Sequence, residues 1–165
     1  MDLALLKIRE RQISPLVNTP FHDNNGEISP DGRWMAYESN ESGRFEVYVR
    51  PFPAAQSAVY QISAEGGTVP VWSRDGRELF YLDADDAMVS VPVQIDAAFR
   101  AGSPVKLFDA SLYSGRSQSR TFDVSRDGKR FLMVRSTVGS SSTTPASMVV
   151  VLNWLQELKA HEKTK

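Results

Sequence analysis

The chain has 165 residues, 41% of them apolar and 24% charged, with a net charge of −1 and no cysteine. This is a globular chain of one domain's length. The composition excludes disulfide and thiolate chemistry, and it argues against nucleic acid as a partner, which needs a basic field. No apolar run reaches the roughly eighteen residues of a membrane span. The stretch Leu3 to Leu6 is too short for an export signal and follows Asp2. Neither membrane insertion nor an export address is expected from the chain as given.

Asp2 to Ile8 and Ile13 to Thr19 read as two short strands joined by the charged turn Arg9-Glu10-Arg11-Gln12, with Pro20 ending the second. The loop Phe21-His22-Asp23-Asn24-Asn25-Gly26 leads into a short strand. The phrase Ile28-Ser29-Pro30-Asp31-Gly32-Arg33 and the strand Trp34 to Ser39 follow. The phrase recurs as Trp72-Ser73-Arg74-Asp75-Gly76-Arg77 and as Val124-Ser125-Arg126-Asp127-Gly128-Lys129. Each copy holds an apolar residue, serine, a free position, aspartate, glycine and a base, with apolar residues following in register. It is a tight turn: serine bonds forward to the backbone, aspartate tolerates its corner, and glycine takes a positive φ. Apolar runs on both sides make each phrase a β-hairpin. The run after the turn does not alternate, so that strand is expected to be covered on both faces.

After Trp34 to Ser39, Asn40 to Arg44 reads as a polar turn. Phe45 to Arg50 reads as a half-exposed strand broken by Pro51 and Pro53, and Val59 to Ser63 as an outer strand. Ala64-Glu65-Gly66-Gly67 is the loop onward. The plan repeats with Val69 to Ser73, Leu79 to Leu82, Met88 to Gln94 and Val105 to Phe108 as strands. Asp83-Ala84-Asp85-Asp86 is a turn and Asp109 to Arg120 a long loop. A third unit has strands at Thr121 to Ser125, Arg130 to Arg135 and Ser147 to Leu152, with a Gly/Ser/Thr linker from Thr137 to Pro145. Asn153 then caps a short amphipathic helix carrying Trp154, Leu155 and Leu158.

The repeat spacing is 44 residues from Asp31 to Asp75 and 52 from Asp75 to Asp127. One four-stranded propeller blade takes about 40 to 50 residues. The expected fold is therefore all-β: antiparallel four-stranded β-propeller blades, about three in number, with a C-terminal helix. Residues 1–20 form an outer half-blade, 21–63 and 64–109 whole blades, 110–152 an incomplete blade and 153–165 the helical tail.

Side chains with chemistry are few. Asp31, Asp75 and Asp127 belong to turns, and Asp83, Asp85 and Asp86 lack the glycine and terminal glutamate of a calcium loop. His22 and His161 form no metal-ligating pair, and no Gly-x-Ser-x-Gly elbow is present. No catalytic residue, metal site or cofactor is assigned.

Several phrases carry a family likeness. Ser29-Pro30-Asp31-Gly32-Arg33, Ser39-Asn40-Glu41-Ser42-Gly43, Val47-Tyr48-Val49-Arg50-Pro51-Phe52, Trp72 to Tyr81 and Val150-Val151-Leu152-Asn153-Trp154 are its carriers. The chain resembles TolB-type, WD-repeat-like β-propellers, and more narrowly the C-terminal part of the propeller attached to bacterial serine/threonine protein kinases. The second and third turns have arginine where that family has proline. The resemblance implies a non-catalytic module that recognises a protein or peptide, in an extracytoplasmic or periplasmic setting. A small-ligand sensor or enzyme with a metal-assisted site in the propeller channel is the alternative.

In a blade, the loops opposite the Ser-x-Asp-Gly turns share one face. That face gathers Asn24, Asn25, Glu41, Arg44, Glu65, Asp85, Arg116 and Arg120 as the expected ligand-binding residues. Counting strands also predicts a homodimer in which two chains complete a six-bladed ring, each third blade receiving Ile13 to Thr19 from its partner.

Overall fold

The structure is a computed structural model and describes residues 2–95, 98–113 and 120–135. Every element among them is a β-strand, and every pairing is antiparallel. Strands β1 (Leu3–Lys7) and β2 (Gln12–Val17) form a hairpin. The first sheet follows the order β3 (Asp23–Ile28), β4 (Trp34–Ser39), β5 (Glu46–Pro51), β6 (Tyr60–Gln61). The second comprises β7 (Thr68–Trp72), β8 (Glu78–Leu82) and β9 (Ala87–Ile95), with β10 (Phe99–Ala101) and β11 (Val105–Asp109) both paired to β9. A last hairpin joins β12 (Phe122–Val124) to β13 (Phe131–Met133).

The three recurring turns have one geometry. Gly32 donates its N–H to the Ser29 carbonyl at 2.8 Å, which diverts that carbonyl from the ladder. The orphaned N–H of Trp34 is then taken by Ser29 Oγ at 3.0 Å, while the same hydroxyl donates to Asp31 Oδ1 at 2.6 Å. Ser73 with Asp75 and Ser125 with Asp127 repeat the pattern, and the glycines sit at φ 72°, 70° and 68°. The aspartate thus does more than tolerate its corner, since it also accepts the N–H of the base that ends the phrase.

Three apolar layers separate the sheets in chain order. Val17, Met35, Tyr37 and Tyr48 pack between the β1–β2 hairpin and the first sheet. Ala36, Val47 and Val49 meet Leu79, Tyr81, Val89 and Val91 between the two large sheets. Phe80, Leu82 and Met88 meet Phe122 and Phe131 beyond the second sheet. Successive residues of β4 and β8 therefore enter opposite layers, and both strands are buried on both faces, as their unbroken apolar runs predict.

Four sequence expectations need correction. The stretch read as a loop before the first phrase is largely strand β3, bulged between Asn24 and Glu27. Strand β5 is not half-exposed, because its polar residues are buried and bonded: Arg50 donates to the Tyr37 hydroxyl at 2.6 Å and to the Ala55 carbonyl at 3.0 Å. Pro51 ends that strand from inside it. Strand β10 was not expected; β9 runs nine residues, and β10 and β11 pair with successive halves of it. The expected strand Ser147 to Leu152 and the helix after Asn153 lie outside the described residues.

Candidate functional site

The first strands of successive sheets lie side by side, and their junction forms an open groove of about 540 Å³. Glu27 on β3, Trp72 and Arg74 at the end of β7, and Arg120 and Asp123 around β12 line it. The Trp72 indole N–H donates to the Glu27 carbonyl at 3.1 Å, which fixes the second sheet's edge against the first. Arg120 spans to the third unit. Its guanidinium meets Glu27 Oε2 at 3.3 Å, pairs with Asp123 Oδ1, and donates from Nε to the Phe122 carbonyl at 2.9 Å.

Burial raises the carboxyl of Glu27 above its ordinary range, with Arg120 and a Trp72 N–H opposing. Two acids and two bases face the groove, but they are unevenly paired. Arg120 holds both acids, and exposed Arg74 has no ion-pair partner among the described residues.

Beside this groove, a smaller cavity of about 170 Å³ is lined by Asn25, Glu27, Val69, Pro70 and Arg120. Asn25 and Val69 occupy the same position of the repeat, and both take positive φ, 50° and 52°. A β-branched residue is rare there. Val69 is held by a hydrogen bond from its N–H to Glu38 Oε2 at 2.6 Å, and Asn25 bonds the same carboxyl. Each sits at a bulge of the strand that lines the junction, and strained bulges concentrate next to functional sites.

The residues expected on one loop face separate into groups. Asn25 and Arg120 meet at the junction, and Asn24 lies opposite Glu38 within β3 rather than in a loop. Glu65 and Asp85 line a separate cavity of about 340 Å³ with Lys106. Arg44 pairs with buried Glu46 at 3.3 Å, and Glu41 stands near the Tyr48 hydroxyl. Arg116 lies outside the described residues. Asp83 works inside its own turn, accepting the N–H of Asp85 at 3.0 Å and of Ala87 at 2.8 Å, and pairs with Lys106 at 2.7 Å.

Glu27, Trp72, Arg74 and Asp123 line the groove without having been named from the sequence, although for Glu27 and Asp123 the repeat carries a signal. Glu27, Val71 and Asp123 each precede the apolar residue that opens the phrase, so a polar residue there faces the junction. Among the described residues, no group of three or more potential ligands could hold a metal ion, and no helix is long and apolar enough to cross a membrane. No protein-family model matches the chain, and no curated protein matches it in sequence.

Proposed function

We propose that this chain is part of a β-propeller and that the groove between its inner strands binds a protein or peptide. The propeller reading is supported by the repeat, by the identical turns and by sheets that stack face to face in chain order with their first strands together. The observation that carries the binding reading is the groove itself. It offers the edge of a largely buried indole, the exposed guanidinium of Arg74, which has no ion-pair partner among the described residues, and a partly exposed three-residue ion cluster that can exchange partners with an arriving chain. The acids are committed to Arg120, an arrangement for recognition rather than for proton abstraction. Its partner carries at least one carboxylate, which pairs with Arg74.

Selection from a displayed peptide library, with affinities measured for wild type and for Arg74→Glu, tests this. Enriched peptides contain Asp or Glu and bind Arg74→Glu about tenfold or more weakly, as expected for a lost and reversed charge pair. Absence of enrichment, or equal binding by the variant, overturns the reading.

The assembly we propose is a two-fold dimer. Hairpin β1–β2 exposes Leu6, Ile8 and Ile13, and hairpin β12–β13 exposes Leu132, with Val134 just beyond β13. A two-stranded hairpin is marginal by itself. One copy's β12–β13 beside its partner's β1–β2 gives a four-stranded sheet like the first and covers these apolar rows.

A further inference from the structure

The cavity of about 340 Å³ between the loop before β7 and the β8–β9 turn plays no part in the groove described above. Its apolar lining is Tyr81, Val89 and Pro104, and its polar lining is Glu65, Asp83, Asp85 and Lys106. From this we infer that it is a second recognition site, which takes the alkyl cation of an arginine or lysine side chain.

Three observations lead there. The first is charge: three carboxylates face one ammonium, and Lys106 is spent on Asp83 at 2.7 Å and, more loosely, on Asp85 at 3.7 Å. Exposed Glu65 has no ion-pair partner among the described residues. A cation is therefore favoured and an anion disfavoured.

The second is Tyr81. The residue is 4% exposed overall and lines the cavity, and its hydroxyl makes no hydrogen bond within the described residues. The hydroxyl is not among the fully buried polar atoms left without a partner, so it stays accessible, and a ligand N–H can donate to its oxygen. The ring also offers a face to a cation, while Val89 and Pro104 suit an alkyl stem.

The third is rigidity. Buried Glu46 accepts the Gly66 N–H at 2.9 Å from one oxygen and takes the Ser63 hydroxyl on the other, which pins the loop carrying Glu65. Asp83 pins the turn carrying Asp85 from the inside. The two loops touch so closely that a Cβ on Gly66 would lie 2.7 Å from the Cβ of Ala84. The acids are thus presented on fixed walls, which limits the ordering cost of binding, and the volume falls at the small end of the roughly 300–1,000 Å³ typical of ligand sites.

The source of the cation rests on the peptide-recognition reading, and the test separates the two. Calorimetric titration of the whole chain uses butylguanidinium, then acetyl-Gly-Arg-Gly-amide, then the same tripeptide with citrulline. The expected result is binding of both guanidinium probes and none of the citrulline peptide. Glu65→Gln and Asp85→Asn should each weaken binding roughly two- to fivefold, and Tyr81→Phe should weaken it without loss of fold. Equal binding of the citrulline peptide, or indifference to both acid variants, overturns the cavity assignment. Binding of butylguanidinium without the tripeptide supports the cavity and overturns the peptide source alone.

Discussion

The N–H of Val69, on the first strand of the second sheet, donates a 2.6 Å hydrogen bond to Glu38 Oε2 at the far end of the first sheet's second strand. The bulge that turns Val69 to φ 52° takes its amide out of the ladder, and Glu38 is the acceptor that keeps this buried group satisfied. Glu38→Ala removes that acceptor and is expected to lower stability by about 2–3 kcal/mol. Glu38→Gln keeps a carbonyl oxygen in place and loses clearly less. Denaturant unfolding compares the two, and equal losses would show that packing, not the hydrogen bond, is what Glu38 supplies.

The same carboxyl gives a pH signature. Burial raises Glu38 above its ordinary 4.5, against the pull of the Val69 N–H and Asn25. A raised folded pKa means that the native state binds the proton more tightly than the unfolded chain. Its contribution to stability therefore improves as pH falls from above the folded pKa toward 4.5. Wild type should gain on Glu38→Gln over that interval.

Asp75 runs the opposite way. The Ser73 hydroxyl and the Arg77 N–H hold it below its ordinary 3.8, so the stability it gives is present above 3.8 and lost as pH falls through the folded value. Melting temperatures of wild type, Glu38→Gln and Asp75→Asn across pH decide both signs. A wild-type advantage over Glu38→Gln that shrinks on acidification contradicts the first.

Two turn glycines differ in their surroundings. Both Gly76 and Gly128 are at positive φ, but a Cβ on Gly76 meets Ile95 Cδ1 at 3.3 Å, whereas the nearest atom to one on Gly128 is Glu78 Oε2 at 3.7 Å. Gly76→Val is expected to destabilise by about 2–3 kcal/mol through backbone strain and crowding, and Gly128→Val by less, through strain alone. Equal melting temperatures for wild type and Gly76→Val would contradict the turn assignment.

The sequence spoke most clearly where interactions are local. Each Ser-x-Asp-Gly hairpin is closed by atoms of its own few residues, and the unbroken runs at Trp34 to Ser39 and Leu79 to Leu82 announce burial on both faces. It misled where a distant partner decides. Glu46 and Arg50 gave β5 a polar alternation, yet Ser63, Gly66, Tyr37 and Ala55 satisfy them inside. Asn24 and Asn25 have loop composition but sit in a bulged strand. Phe99 is one large apolar residue in a three-residue strand, too short to show a period. Of the residues expected on the loop face, Glu65 and Asp85 share a cavity and Arg120 lines the groove. Glu27 and Asp123 share one position of the repeat, but that this position lines a groove shows only when neighbouring strands converge on it.

The proposed dimer has a mass test. Light scattering after gel filtration should give twice 18.4 kDa, and Ile8→Lys or Leu132→Lys should return the chain to one copy by placing a charge in the joined sheet. A well-folded wild-type monomer with sharp unfolding contradicts it.

The proposed binding in the groove is tested most directly at the Trp72 indole. The chain has three tryptophans, so a nitrogen–proton correlation spectrum has three indole signals to follow, and Trp72→Phe assigns the relevant one. Titration with a peptide selected from the library should shift the Trp72 indole signal in a saturable way, with the same dissociation constant that calorimetry gives, and Arg74→Glu should weaken the response about tenfold. A peptide that binds by calorimetry while the Trp72 signal stays in place would put recognition elsewhere and contradict the groove.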